Sequence, residues 1–99
     1  MIIDIHTHVF SDEIAAKVIK KLKYASHTQP FSDGTSTGLQ KACKKTGVNY
    51  CVTLPIATDQ KQVRHMNDRI ISANLPYPET GLIPFGAMHP DYPDWKQEL

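Results

Sequence analysis

The chain is short of cysteine, of net charge and of long apolar runs, and each shortage excludes something. Only Cys43 and Cys51 occur, and they form no CxxC pair, so no thioredoxin-type or zinc-ribbon motif is present. The two read as reduced, buried thiols of a cytoplasmic protein, ahead of a disulfide or a thiolate metal site. Eleven Lys and Arg stand against ten Asp and Glu, for a net charge of +1. That balance makes no electrostatic case for a nucleic acid or membrane partner, and neither is expected. No apolar run approaches the roughly 18 residues of a membrane span. The N-terminus lacks a basic region and Asp4 interrupts its apolar opening, so no signal peptide is expected. Repeats and low-complexity tracts are missing too. What remains is 99 residues, enough for one small domain with a modest core.

Periodicity supplies the elements. Residues 2–8, IIDIHTH, predict a strand. Side chains alternate along a strand, which puts Ile3, Ile5 and Thr7 on one face and Asp4, His6 and His8 on the other. Residues 12–23 predict a helix with Ile14, Ala15, Val18, Ile19 and Leu22 as its apolar stripe. Ser11 suits its N-cap, and Asp12 and Glu13 its first turn. Lys20, Lys21 and Lys23 suit its end, and read as a solvated face rather than a binding patch. Residues 25–37 predict a loop. A helix over 38–46 follows, with Leu39, Ala42 and Cys43 inward and Gly47 just past its end. Residues 48–54 predict a second strand, closed by Pro55. Asp59 caps a third helix carrying Val63, Met66, Asn67, Ile70 and Ile71 on one face. NLPYPETG predicts a loop, and residues 82–88 a third strand that Pro84 weakens. Asp91 starts a last helix, with Pro93 in its first turn.

Strands that alternate with helices imply parallel pairing through right-handed crossovers. The expected fold class is α/β, with about three parallel strands in the order 1-2-3 and helices on the face of Ile3 and Ile5. The final segment, DYPDWKQEL, has a helix start signal and no stop signal. The natural chain is therefore expected to continue past Leu99.

The histidines carry the chemistry. Residues i and i+2 of a strand point the same way, with Cα atoms about 6.5–7 Å apart. Two imidazoles so placed can converge on one cation with Zn–N bonds near 2.0–2.1 Å. The pair does not name the metal, since neutral imidazole suits several transition ions. His6 and His8 stand at the C-terminal end of a strand that opens a βα unit, where parallel α/β folds build their sites. Asp4 suits an orienting carboxylate for one of them; the alternative is an acid filling a polar layer. His89, after the third strand, reads equally as a substrate contact and as a histidine entering a helix ahead of Pro90. His27 and His65 read as surface residues, Thr7 as structural, and Tyr92 and Trp95 as exterior packing.

These stretches resemble a known family. IDIHTHVF looks like the first strand of the amidohydrolase superfamily, metal-dependent enzymes on a (β/α)8 barrel. TGVNYCVTLPIAT looks like the second-strand region of the amidohydrolase-related branch, which also contains decarboxylases. LIPFGAMHPDYPDWKQEL looks like the third strand and the helix after it. DxHxH is shared with several metallohydrolases, whereas GAMHP preceded by LIPF favours this branch. The resemblance implies that residues 1–99 form the N-terminal part of a (β/α)8 TIM barrel, a partial barrel domain. Such barrels usually take about 250 residues. It implies His6 and His8 as the first two ligands of a divalent metal, zinc foremost, and a small-molecule substrate. Further ligands would come from later strands: a histidine or modified lysine, another histidine and an aspartate. The expectation is a metal-dependent hydrolase as parent protein, with this chain inactive by itself.

Rival readings stand beside this one. A metal-dependent decarboxylase of the same branch fits the same residues. A phosphoesterase of the polymerase-and-histidinol-phosphatase type also opens on HxH, but here Ser11 and Asp12 come one residue early and Glu13 replaces the glycine of its Ser-Asp-Gly turn. A non-catalytic chain that self-associates, as a homo-oligomer through an open sheet edge, is the rival from another class. An open barrel face is expected to leave Val52 and Phe85, or their neighbours, in solvent.

Overall fold

The fold comes from a computed structural model that describes residues 1–73 and 77–99, Tyr77 by its backbone alone. The order is β1 (Ile3–Thr7), α1 (Asp12–Ser26), α2 (Ser36–Thr46), β2 (Tyr50–Thr53), a 3-10 turn (Gln60–Gln62), α3 (Val63–Ala73), α4 (Tyr77–Thr80), β3 (Leu82–Pro84) and α5 (Trp95–Glu98). The three strands make one parallel sheet in the order β1-β2-β3. This is the α/β arrangement that the alternating periodicity predicts, with the middle strand second in sequence. Among the described residues no helix is long and apolar enough to cross a membrane.

Local chemistry sets several boundaries. Thr35 caps α2, its hydroxyl accepting the Gly38 N–H at 2.9 Å. Gly47, at φ 77°, ends α2 in the left-handed region, and the Val48 N–H bonds back to the Cys43 carbonyl at 3.0 Å. Glycine adopts that backbone without penalty, which allows α2 to reverse straight into β2. Asp59 accepts the Lys61 N–H at 2.8 Å and opens the 3-10 turn ahead of α3. At Gly81, φ 71°, an added Cβ would lie 2.9 Å from the Asn49 carbonyl oxygen, so a side chain is barred where β3 joins the sheet. The loop predicted over 74–81 falls partly outside the described residues, and its remainder holds the single helical turn α4.

The core centres on β2. Cys51, Val52 and Thr53 are all buried, together with Ala15 of α1, Val63 of α3, Leu82 of β3, and Ala87. Three expectations need correction. Ile3 and Ile5 are 45% and 74% exposed, so helices do not cover them; β1 has a strand neighbour on one side only. Val52 is buried although Phe85 is 53% exposed, because consecutive buried residues on the middle strand leave neither of its faces open. Cys43 and Cys51 are paired as a disulfide rather than standing as separate thiols. The turn at Gly47 brings the end of α2 over β2, and eight residues of separation then suffice.

Smaller differences are local. The third strand shrinks from the predicted 82–88 to Leu82–Pro84. Beyond Pro84, Ala87 bonds to a side chain of α3 instead of a strand: its N–H donates to Asn67 Oδ1 at 2.6 Å, and its carbonyl accepts from Asn67 Nδ2 at 3.1 Å. The last helix starts at Trp95 with Asp94 at its N-cap, later than Asp91.

Candidate metal centre

β1 does not keep perfect alternation. Asp4 is level with Cys51 on β2 and Thr7 is level with Thr53. Three steps on β1 therefore match two on β2, so β1 carries one extra residue, a bulge. Where the register slips, the His6 N–H donates to Asp4 Oδ1 at 3.0 Å. Partners in a parallel ladder share a face, as do Cys51 and Thr53, so Asp4 and Thr7 stand at positions of one face. Alternation from sequence puts them on opposite faces. The Asp4 carboxylate is spent on its own strand's backbone and reaches neither imidazole in any described hydrogen bond.

The structure brings His6 and His8 together. Their Nε2 atoms lie 3.1 Å apart, with the rings edge to face and centroids 5.0 Å apart. Donors at 3.1 Å, with metal–nitrogen bonds of about 2.05 Å, subtend about 98° at a shared cation. That angle lies between the octahedral right angle and the tetrahedral one, so the nitrogen spacing is compatible with two donors to one transition ion.

The second nitrogen of His8 is tied down. Its Nδ1 lies 2.7 Å from the Leu54 carbonyl oxygen. A carbonyl only accepts, so Nδ1 carries a proton, and in the neutral ring Nε2 keeps its lone pair. Outer partners of this kind fix the tautomer and the ring of a metal-ligating histidine. The same Leu54 donates its N–H to the Thr7 carbonyl at 2.8 Å. Thr7, buried at 9% exposure, donates its hydroxyl to the Val52 carbonyl at 2.8 Å. The end of β2 thus grips β1 on both sides of Thr7. Sequence reasoning misses Leu54, because a backbone carbonyl acts through its position and leaves no residue-type signal.

His89 does not join the pair. It is half-buried, and its Nδ1 accepts the Asp91 N–H at 3.2 Å. Its Nδ1 also lies 3.9 Å from the Asp91 carboxylate. Among the described residues, no group of three or more His, Cys, Asp or Glu could hold a metal ion. What the described residues bring together is two imidazole nitrogens, with His6 exposed and His8 half-buried. An open cavity of about 330 Å³ lies at the starts of α1 and α2, lined by residues including Phe10, Ser11, Ser36 and Arg69, and includes neither histidine.

No protein-family model, curated protein or solved structure matches the chain.

Proposed function

We propose that the chain contributes the first part of the metal site of a metal-dependent hydrolase of the amidohydrolase-related type. His6 and His8 are the paired ligands of one divalent cation, zinc foremost, and the substrate is a small molecule. The observation that carries this reading is the 3.1 Å separation of the two Nε2 atoms, with His8 oriented through its other nitrogen by Leu54. The IDIHTHVF motif supports it from the sequence side.

A cation held by His6 and His8 would supply Lewis-acid chemistry, activating water and polarising a substrate carbonyl. The residues of this chain bind and orient. Leu54 sets the His8 ring, and Asp4 holds the backbone N–H of His6 in the bulge. Catalytic zinc normally takes three protein ligands and a water. Two nitrogens fall short of that, so the reading requires ligands from outside the described residues. The chain alone binds a cation weakly and turns over no substrate.

Equilibrium dialysis with zinc tests the reading. The wild-type chain should bind one ion weakly, and His6→Ala and His8→Ala should each abolish that binding. Unchanged zinc uptake in both variants would remove the basis for a histidine-centred site.

A further inference from the structure

The histidine pair makes no use of Cys43 and Cys51, and their placement carries a separate inference. Cys43 lies near the end of α2 and Cys51 on β2, and their sulfurs meet. No other cysteine competes for either one. Their surroundings differ sharply. Cys51 is 1% exposed. Cys43 is half-buried and lines a surface cavity of about 170 Å³, beside Lys44, Asn49, Glu79, Thr80 and Gly81. Cys51 is not among the residues lining that cavity.

We propose that the two cysteines form a thiol–disulfide exchange site for low-molecular-weight disulfides, with Cys43 as the exchanging sulfur and Cys51 as the resolving one. In the oxidising direction the Cys43 thiolate attacks one sulfur of a small disulfide, RSSR. The Cys43–SR bond forms, the RS–SR bond breaks, and RS⁻ leaves and takes up the proton that Cys43 released. The Cys51 thiolate then attacks the Cys43 sulfur. The protein disulfide forms, the second RS⁻ leaves, and it takes up the proton from Cys51. Two protein thiols are oxidised and one small disulfide is reduced to two thiols, so atoms and electrons balance. Access decides the roles, since exchange requires the incoming disulfide to reach the first sulfur, and the cavity reaches Cys43 alone. The buried Cys51 meets only a sulfur already delivered to it.

The test uses the reduced chain and oxidised glutathione. Samples are quenched in acid over time, alkylated and digested with trypsin, which separates the two cysteines by cutting after Lys44 and Lys45. In the wild type, glutathione should appear first on the Cys43 peptide and then give way to the internal disulfide. Cys51→Ala should stop at the Cys43–glutathione adduct. Cys43→Ala should react about tenfold or more slowly while folded, and readily once guanidinium unfolds it. The wild-type time course assigns the order even if Cys51→Ala does not fold. Glutathione appearing first on Cys51, equal rates in the two variants, or both wild-type thiols staying free would each overturn the proposal.

Discussion

His6 and His8 bring their Nε2 atoms to 3.1 Å from each other, while His8 holds the Leu54 carbonyl with Nδ1 at 2.7 Å. These contacts order the protons. With His8 neutral and its Nδ1 proton on the Leu54 carbonyl, its Nε2 accepts and His6 donates from Nε2 in the metal-free chain.

A cation changes only one of these tautomers. To ligate through Nε2, His6 has to move its proton to Nδ1, while His8 is already arranged. Long-range proton–nitrogen spectra should show His6 as Nε2–H without metal and as Nδ1–H with zinc, and His8 as Nδ1–H throughout. A His8 protonated at Nε2 without metal would contradict the role given to Leu54.

Burial ranks the apolar residues in an order the sequence does not suggest. Leu82 is 1% exposed and Ile5 is 74% exposed. Leu82→Ala should cost about 2–5 kcal/mol, as expected for a large-to-small change in a core. Ile5→Ala should stay within about 0.5 kcal/mol, as at other surface positions. Urea denaturation of the two variants measures both, and equal losses would show that β1 packs more deeply than its exposure indicates.

Asn67 replaces a strand partner for Ala87, taking its N–H and giving to its carbonyl, and it also donates to Glu98 at 2.8 Å. Ala87 is buried. Asn67→Ala leaves that N–H without its acceptor and should cost about 1–3 kcal/mol. Amide hydrogen exchange should show the loss of protection centred on Ala87, and unchanged exchange there would rule out the clamp.

Asp33 answers to pH. Its carboxyl is held below the usual carboxylate range, first by the Thr35 backbone N–H, next by the Thr35 hydroxyl, with Lys41 adding to both. The two contacts from Thr35 measure 2.8 and 2.7 Å. A folded pKa below the unfolded one gives stability that is complete above the unfolded value, about 3.9, and is lost as pH falls through the folded value. Asp33→Asn should therefore flatten the stability profile below about pH 4 and leave its shape at neutral pH unchanged. Thermal melts across that window check the sign, and a variant as acid-sensitive as the wild type would refute it.

Much of this fold is legible in the sequence because its signals are local. The stripe from Ile14 to Leu22 predicts α1, Gly47 predicts the end of α2, and Asp59 predicts the entry to α3. The order of strands and helices predicts a parallel sheet. The HxH spacing predicts two imidazoles on one side of a strand, and their Nε2 atoms do converge. The sequence hides whatever depends on the partner. Pro84 and the Asn67 clamp shorten β3, and the clamp joins residues twenty positions apart.

By itself the sequence determined α1, α2 and α3, the order of the three strands and the pairing of His6 with His8, because periodicity, capping and alternation act over a few residues. Only the tertiary structure decided the face of Asp4, the burial of Val52, the exposure of Ile5 and the meeting of Cys43 with Cys51. The bulge shows why. Period-2 alternation carries across a ladder only while the two strands advance residue for residue. Between Asp4 and Thr7, where Asp4 accepts the N–H of His6, the register of β1 slips against β2, and the face of each residue is set by the ladder rather than by counting along the chain.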